Sequence, residues 1–398
     1  MYMFSSARVL HPRVLFVAAL IAVSTLGVTL GTAATPGGAS SFTTFDAPGA
    51  GARMYQGTVA TAIDPAGNVA GIYLDGSNTE HAFVRTASGT ITSFDVGTGS
   101  SGTAPIAFDG AGNLMGAYAD SSKVIHGFLR TLGGTVTSFD VPAAGTGKMQ
   151  GTFPVCINPS GVIAGIYLDG NNIAHGFVRA VNGDIATFDA GSTTGTAKSN
   201  PGTYVTSIDI GGDVAGSFMD TAGVVHGFVR AANKSITTFD APNAGTSQDQ
   251  GTGVIGIDTA GDLGGFYLDA SNVVHGFVRV ASTGNVVLFD APGAATGPFM
   301  SANGNPNNIG TVPTAMDPAG DISGTYMDAN QMVRGFVRLA NGTISTYNAP
   351  GATPSTYTVK PSSLKANALL GASASASKQV AAHGGILGLG GFKLEVQR

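Results

Sequence analysis

Between residues 41 and 350 short apolar runs alternate with turn residues, and the alternation recurs six times. The fifth copy displays the elements. GVIGI (253–257) reads as a short strand with small residues. Asp258 to Gly261 puts Asp first and Gly fourth, the composition of a type I turn with a Gly bulge joining antiparallel strands. LGGFYL (263–268) is a second strand, and Asp269 to Asn272 a second turn whose Asn tolerates the left-handed conformation. VVHGFVRV (273–280) is a third strand. A Gly284 turn leads to VVLFD (286–290), the fourth. The first-turn pattern returns as DPAG (64–67), DGAG (109–112), NPSG (158–161), DIGG (209–212) and DPAG (317–320).

Each copy is thus expected to be a four-stranded antiparallel meander. Apolar residues fill consecutive positions, so both faces of each sheet require cover. Four strands cannot bury two faces alone, but identical neighbours can cover them. A period near 50 residues therefore predicts an all-β six-bladed β-propeller over 41–350, with a stacked solenoid as the alternative. Two strings compete for one role at the closure. SFTTFDAP (41–48) precedes the first full copy, and GTISTYNAP (342–350) ends the last. One must be an extra or displaced edge strand.

The flanks read differently. Arg8, His11 and Arg13 precede an apolar run from Val14 to Leu30 and small residues at Thr32 to Ala34, the pattern of a secretory signal peptide over 1–34. A membrane anchor is the competing reading, and no later segment is apolar enough to span a bilayer. Residues 351–398 leave the repeat. GASASAS (371–377) and GGILGLGGF (384–392) make them a low-complexity tail, expected to be mostly disordered. A net charge of −5 without a Lys/Arg cluster argues against a nucleic-acid partner. Cys156 stands alone, in a slot that other copies fill with Ala62, Ala107, Ser207, Gly256 or Ala315, so packing is expected of it and not chemistry.

The third strand carries a motif: His81-Ala-Phe-Val-Arg85, His126-Gly-Phe-Leu-Arg130, and the same at 175–179, 226–230 and 275–279. With the Gly-rich strand upstream and Thr-Phe-Asp-x-Pro downstream, the chain resembles the HAF-type extracellular repeat family. The resemblance covers 41–350 and implies a secreted or surface-exposed, propeller-like protein with no assigned reaction. The sixth copy departs from it, with Arg334 in place of His.

Asp stands six residues before each motif His: Asp75/His81, Asp120/His126, Asp169/His175, Asp220/His226 and Asp269/His275. Such a pair suits a metal site or a general base. The sixth copy keeps the spacing as Asp328/Arg334, and arginine neither ligates metal nor acts as a base, whereas it does pair with carboxylate. These pairs are therefore assigned a structural role, with no metal or cofactor expected. The motif arginines need partners too, and the Asp after the fourth-strand aromatic (Asp95, Asp140, Asp189, Asp240, Asp290, with Asn348 last) is the expected one. Six equivalent sites suit an enzyme poorly, because catalysis usually needs one asymmetric constellation.

Divergence between copies concentrates in the connections from fourth strand to next first strand. The longest, 291–310, offers Phe299 and Met300 as apolar contacts, and Asn303, Asn305, Asn307 and Asn308 as hydrogen-bonding groups, a composition suited to a polyhydroxylated ligand. The leading functional reading is a secreted, monomeric binding or adhesion module for glycans or cell-envelope components. A secreted hydrolase or lyase with a site at the propeller axis, or a purely structural surface protein, are the alternatives.

Overall fold

The computed structural model describes residues 43–348, except 98, 101, 192–201, 298, 301–305, 308–309 and 331, with backbone alone at 299–300 and 306–307. The signal segment 1–34 and the tail 351–398 lie outside the described residues. Within them the chain is all-β, in six four-stranded antiparallel units spanning 57–94, 102–139, 151–188, 202–239, 251–289 and 311–347.

The units follow the sequence pattern closely. In the fifth, strands run Gly251–Ile257, Leu263–Leu268, Val274–Arg279 and Val286–Phe289. One feature escapes the pattern. Every first strand carries a β-bulge near its centre, as between Val254 and Gly256. Pro105, Pro154 and Pro313 sit beside these bulges, where the ladder is already irregular and a missing N–H costs least.

Glycine lets the rings into the sheet. Phe177 of the third strand is fully buried, and its ring lies against Gly165 of the second. A Cβ on Gly165 would overlap the Phe153 carbonyl and meet the Phe177 ring at 2.8 Å. Gly176 in turn lies beneath the ring of Phe188 on the fourth strand. The second-strand Gly and the motif Gly are therefore a pair of seats for aromatic rings. The corresponding Phe83, Phe128, Phe228, Phe277 and Phe336 are buried alike.

Successive units are joined in a propeller-like manner. From unit two onward the third strand of one touches the first strand of the next through a single parallel bridge: Ile125↔Gly151, Ala174↔Gly202, Val225↔Gly251, Val274↔Gly310. Apolar side chains fill the space between, in a core running through units two to five that includes Met115, Phe153, Tyr204, Val225 and Phe266. Residues 43–46, read from sequence as a strand, form no ladder with any described strand. Cys156 is buried against Ala164, and burial pushes its thiol pKa far up, as expected of a packing residue.

Candidate functional site

Three repeated arrangements carry the polar chemistry. The first is a histidine clamp on the third strand. The Nδ1 atoms of His81, His126, His175, His226 and His275 lie 2.8–3.0 Å from the Asp that follows the fourth strand: Asp95, Asp140, Asp189, Asp240 and Asp290 in turn. Each Nε2 faces the hairpin Asp (Asp75, Asp120, Asp169, Asp220, Asp269) at 3.5–3.7 Å, an ion-pair separation too long for a direct hydrogen bond.

This amends the pairing read from the spacing of six. His175 shows the difference. Its expected partner, Asp169, stands 3.7 Å away, while Asp189, not assigned to it from sequence, is hydrogen-bonded at 2.8 Å. The ladder is the physical reason. Gly176 pairs with Phe188, so the residue before the one and the residue after the other, His175 and Asp189, come side by side. The histidine ring stacks on the aromatic directly across the other ladder, Tyr167 for His175, and Tyr73, Tyr118, Phe218 or Tyr267 in the other units, with centroids 4.8–5.0 Å apart.

The hairpin Asp also braces its own turn. Asp75 accepts from the N–H groups of Ser77 and Thr79, both at 2.8 Å. The Thr79 amide is the main reason its carboxyl sits below the usual range. At Asp120 burial works the other way and is outweighed by the Val124 and Ser122 amides. His226 and His275 are raised above the ordinary imidazole range, chiefly by their hydrogen bonds to Asp240 and Asp290. In unit six Arg334 Nε donates to Asp328 at 2.7 Å. With a carboxylate facing each ring nitrogen, the clamp is built to hold a cationic side chain.

The second arrangement corrects the partner expected for the motif arginines. The Asp after the fourth strand binds the histidine. The guanidinium instead lies over the aromatic of the preceding unit: Arg130 over Phe94, Arg179 over Phe139, Arg230 over Phe188, Arg279 over Phe239 and Arg338 over Phe289, at 4.9–5.1 Å from the ring centroid. The same aromatic meets the next unit's buried Phe edge-on, as Phe139 meets Phe177. Arginine thus caps an inter-unit aromatic pair, with one long hydrogen bond to the following carbonyl, 3.4 Å at Arg179. The sequence reading missed this because the contact joins different copies.

The third is a cleft between units four and five of about 310 Å³. Asp209, Asp213, Ser235 and Thr237 line it from unit four, and Thr259 and Arg279 from unit five. Burial raises the Asp209 carboxyl, opposed by the Asp213 amide and aided by the Asp213 charge. Units one and two carry Asn68 and Asn113 at the position of Asp213, and their side-chain amides donate to Asp64 and Asp109 at 2.7 Å. Unit four has two carboxylates there, so Asp209 loses that donor. Arg279 makes no ion pair among the described residues. The cleft therefore gathers acceptors, hydroxyls and a guanidinium around one space. Asp stands at this position in units four, five and six (Asp213, Asp262 and Asp321), so nothing in the sequence singled this cleft out.

Of the connection 291–310, Phe299–Met300 pairs with Pro306–Asn307 in a two-stranded ladder. Asn303, Asn305 and Asn308, and all the side chains of that candidate site, lie outside the described residues.

No family model matches the chain, and no curated protein matches it. Solved structures do. One, from a structural and mechanistic study of two prolyl endopeptidases, matches with a TM-score of 0.51 at 11% identity, over 74% of this chain and 42% of that one. Virginiamycin B lyase from Staphylococcus aureus matches with a TM-score of 0.43 at 14% identity, over 73% of this chain and 84% of the lyase. The fucose-specific lectin from Aleuria aurantia matches with a TM-score of 0.38 at 12% identity, over 75% and 96%. At such identities the likeness is one of fold alone, an all-β succession of four-stranded units in a propeller-like arrangement.

Proposed function

We propose that the chain is a secreted six-bladed propeller of the HAF repeat type that serves as a binding module for glycans or cell-envelope components. The observation that carries this reading is the inter-unit cleft at Arg279. Its guanidinium has a ring beneath it and makes no ion pair among the described residues, and it borders the same space as the Asp209/Asp213 pair and the hydroxyl-bearing Ser235 and Thr237. A saccharide presents vicinal hydroxyls that donate to carboxylates and ring or hydroxyl oxygens that accept from a guanidinium. The repeated clamps and caps supply rigidity, and the cleft gathers acceptors, hydroxyls and a guanidinium around one space. The reading is tested by a glycan and cell-wall binding screen of the exported protein, whose first residue is expected near Thr35. Arg279→Gln is expected to weaken the strongest hit at least tenfold, on the order of 1.4 kcal/mol, while the loss of its contact with Phe239 lowers stability by only about 0.5–1 kcal/mol. Silence across the screen, or binding indifferent to Arg279, overturns it.

A further inference from the structure

Every joint between units hands a fourth-strand aromatic to a seat on the next unit, made of its third-strand Phe and motif Arg. The chain has one aromatic more than it has seats. Phe45 fills the seat of unit one, meeting Phe83 edge-on at 5.9 Å beneath Arg85 at 5.0 Å. The Ala47 N–H donates to Thr58 Oγ1 at 2.8 Å, as the Val141 N–H does to Thr152 Oγ1 at the joint between units two and three. Residues 43–46 thus occupy the station of a fourth strand with no sheet beside them. The aromatic left over is Tyr347, at the end of unit six's fourth strand Ile344–Tyr347, and it is 54% exposed.

The outer faces of units one and six are open where the interior joints are closed. A Cβ on Gly151, Gly251 or Gly310 would overlap the carbonyl of Ile125, Val225 or Val274 in the preceding unit, whereas around Gly57 there is open space. Ile63 is 59% exposed where Phe108, Ile157 and Ile257 are buried. Val333 is 48% exposed where Ile125, Val225 and Val274 are buried.

The interior joints give the register. Twelve residues separate Phe139 from Gly151, Phe239 from Gly251 and Phe45 from Gly57, and Gln precedes the Gly each time. The residue before that Gln is left-handed in all three: Met149 (φ 64°), Asp249 (φ 67°) and Tyr55 (φ 68°). Met149 and Asp249 donate to the preceding unit's hairpin, at Lys123 O (2.7 Å) and Gly223 O (2.9 Å). Gln331 holds the matching position in unit six. Connections of this kind precede units one, three and five, those of three and five follow an even unit, and unit six is even.

Charge points the same way. Each His of units one to five has an Asp after the fourth strand, but Arg334 faces a strand that ends in Tyr347-Asn348. Residues 43–46 end in Phe45-Asp46, the pattern of the other units, and Asp46 is exposed and makes no ion pair among the described residues.

Resting on the six-bladed reading, we propose that unit six docks on unit one of the same chain in this register, and that residues 43–46 replace Ile344–Tyr347 as its fourth strand. Phe45 then faces Gly335, Thr43 faces Val337, and Asp46 completes the clamp on Arg334. The tether favours the chain's own unit six over a second copy, because it holds the two faces at high effective concentration.

Three cysteine pairs in the full-length exported chain, oxidised at low micromolar concentration, test this. Cys156 is buried and stays out of the exchange. Tyr55→Cys with Gln331→Cys reports docking, Thr43→Cys with Val337→Cys reports the replacing strand, and Ser345→Cys with Val337→Cys reports the resident one. The first two are expected to close within monomers and the third to stay open. Closure of the first and third without the second overturns the strand replacement and leaves the six-bladed ring standing. Failure of the first, or disulfide-linked dimers in its place, overturns the ring itself. As a check free of cysteines, Asp46→Ala is expected to lower the melting temperature and Asn348→Ala to leave it unchanged. The reverse order overturns the replacement.

Discussion

At the scale of the residue, the histidine clamp explains why an Arg can stand in for His. What the site requires is a cation between two carboxylates, one on the hairpin and one past the fourth strand. His226→Ala removes the stack on Phe218 and leaves Asp220 and Asp240 facing one another, and is expected to cost about 1–2 kcal/mol in urea unfolding. His226→Arg is expected to cost less, since Arg334 already serves with Asp328. The clamp also sets a pH dependence. A histidine whose folded pKa is raised favours the folded state fully below the unfolded value of 6.5, and this contribution is lost as pH rises through the folded value. Stability attributable to His226 and His275 should therefore fall from slightly acid to slightly alkaline pH. Unfolding midpoints measured from pH 6 to 8 check this, and in the double His→Arg variant that part of the slope should vanish.

At the scale of the element, the third strand is a short code, with His for the clamp, Gly for a ring, Phe for the core and Arg for the neighbour's aromatic. The two glycine seats differ in what they can concede. A Cβ at Gly176 meets the ring of Phe188, a side chain that can shift, and unit one carries Ala82 at the same position. A Cβ at Gly165 meets the backbone carbonyl of Phe153, which is held in the ladder. Gly165→Ala is therefore expected to cost about 1–3 kcal/mol, and Gly176→Ala less, in chemical denaturation. Strands, turns and the His–Asp spacing were legible in the sequence because they are local and repeat within one copy. The second carboxylate of the clamp was harder to see, since Asp189 lies a whole hairpin beyond His175 and was assigned to the arginine. The Arg cap was not legible, because Arg179 and Phe139 belong to different copies, and sequence reading pairs neighbours along the chain. The bulges were hidden too. A single extra residue such as Ile255 leaves the apolar run unbroken while turning the strand.

At the scale of the molecule, the repeat has a second period of two units. Gln56, Gln150 and Gln250 open units one, three and five, and each reaches the left-handed Asn of its own hairpin, Asn78, Asn172 or Asn272, at 2.9–3.0 Å. Gln150 also accepts from the Gly147 N–H at 2.9 Å and donates to the Gly170 carbonyl at 3.1 Å, so one buried amide ties a connection to a hairpin. Units two, four and six have Lys123, Gly223 and Gln331 at the hairpin position of these asparagines, and Ser101, Pro201 and Ile309 at the position of the glutamines. Fold class alone could not reveal this, because the four-stranded pattern is the same in both kinds of unit. The period makes the glutamines gauges of closure. Gln150→Ala and Gln250→Ala each remove a buried amide and leave an Asn side-chain oxygen and a loop N–H without that partner, and should cost about 1–2 kcal/mol in urea unfolding. Gln56 makes the same bond to Asn78 at the uncovered face of unit one, where water would replace most of what the substitution removes. With unit six docked, water is excluded there as at the interior joints, and Gln56→Ala should cost as much as the other two. Equal losses across the three variants are the expected result, and a loss near zero for Gln56→Ala alone would show that the joint between units six and one stays open in solution.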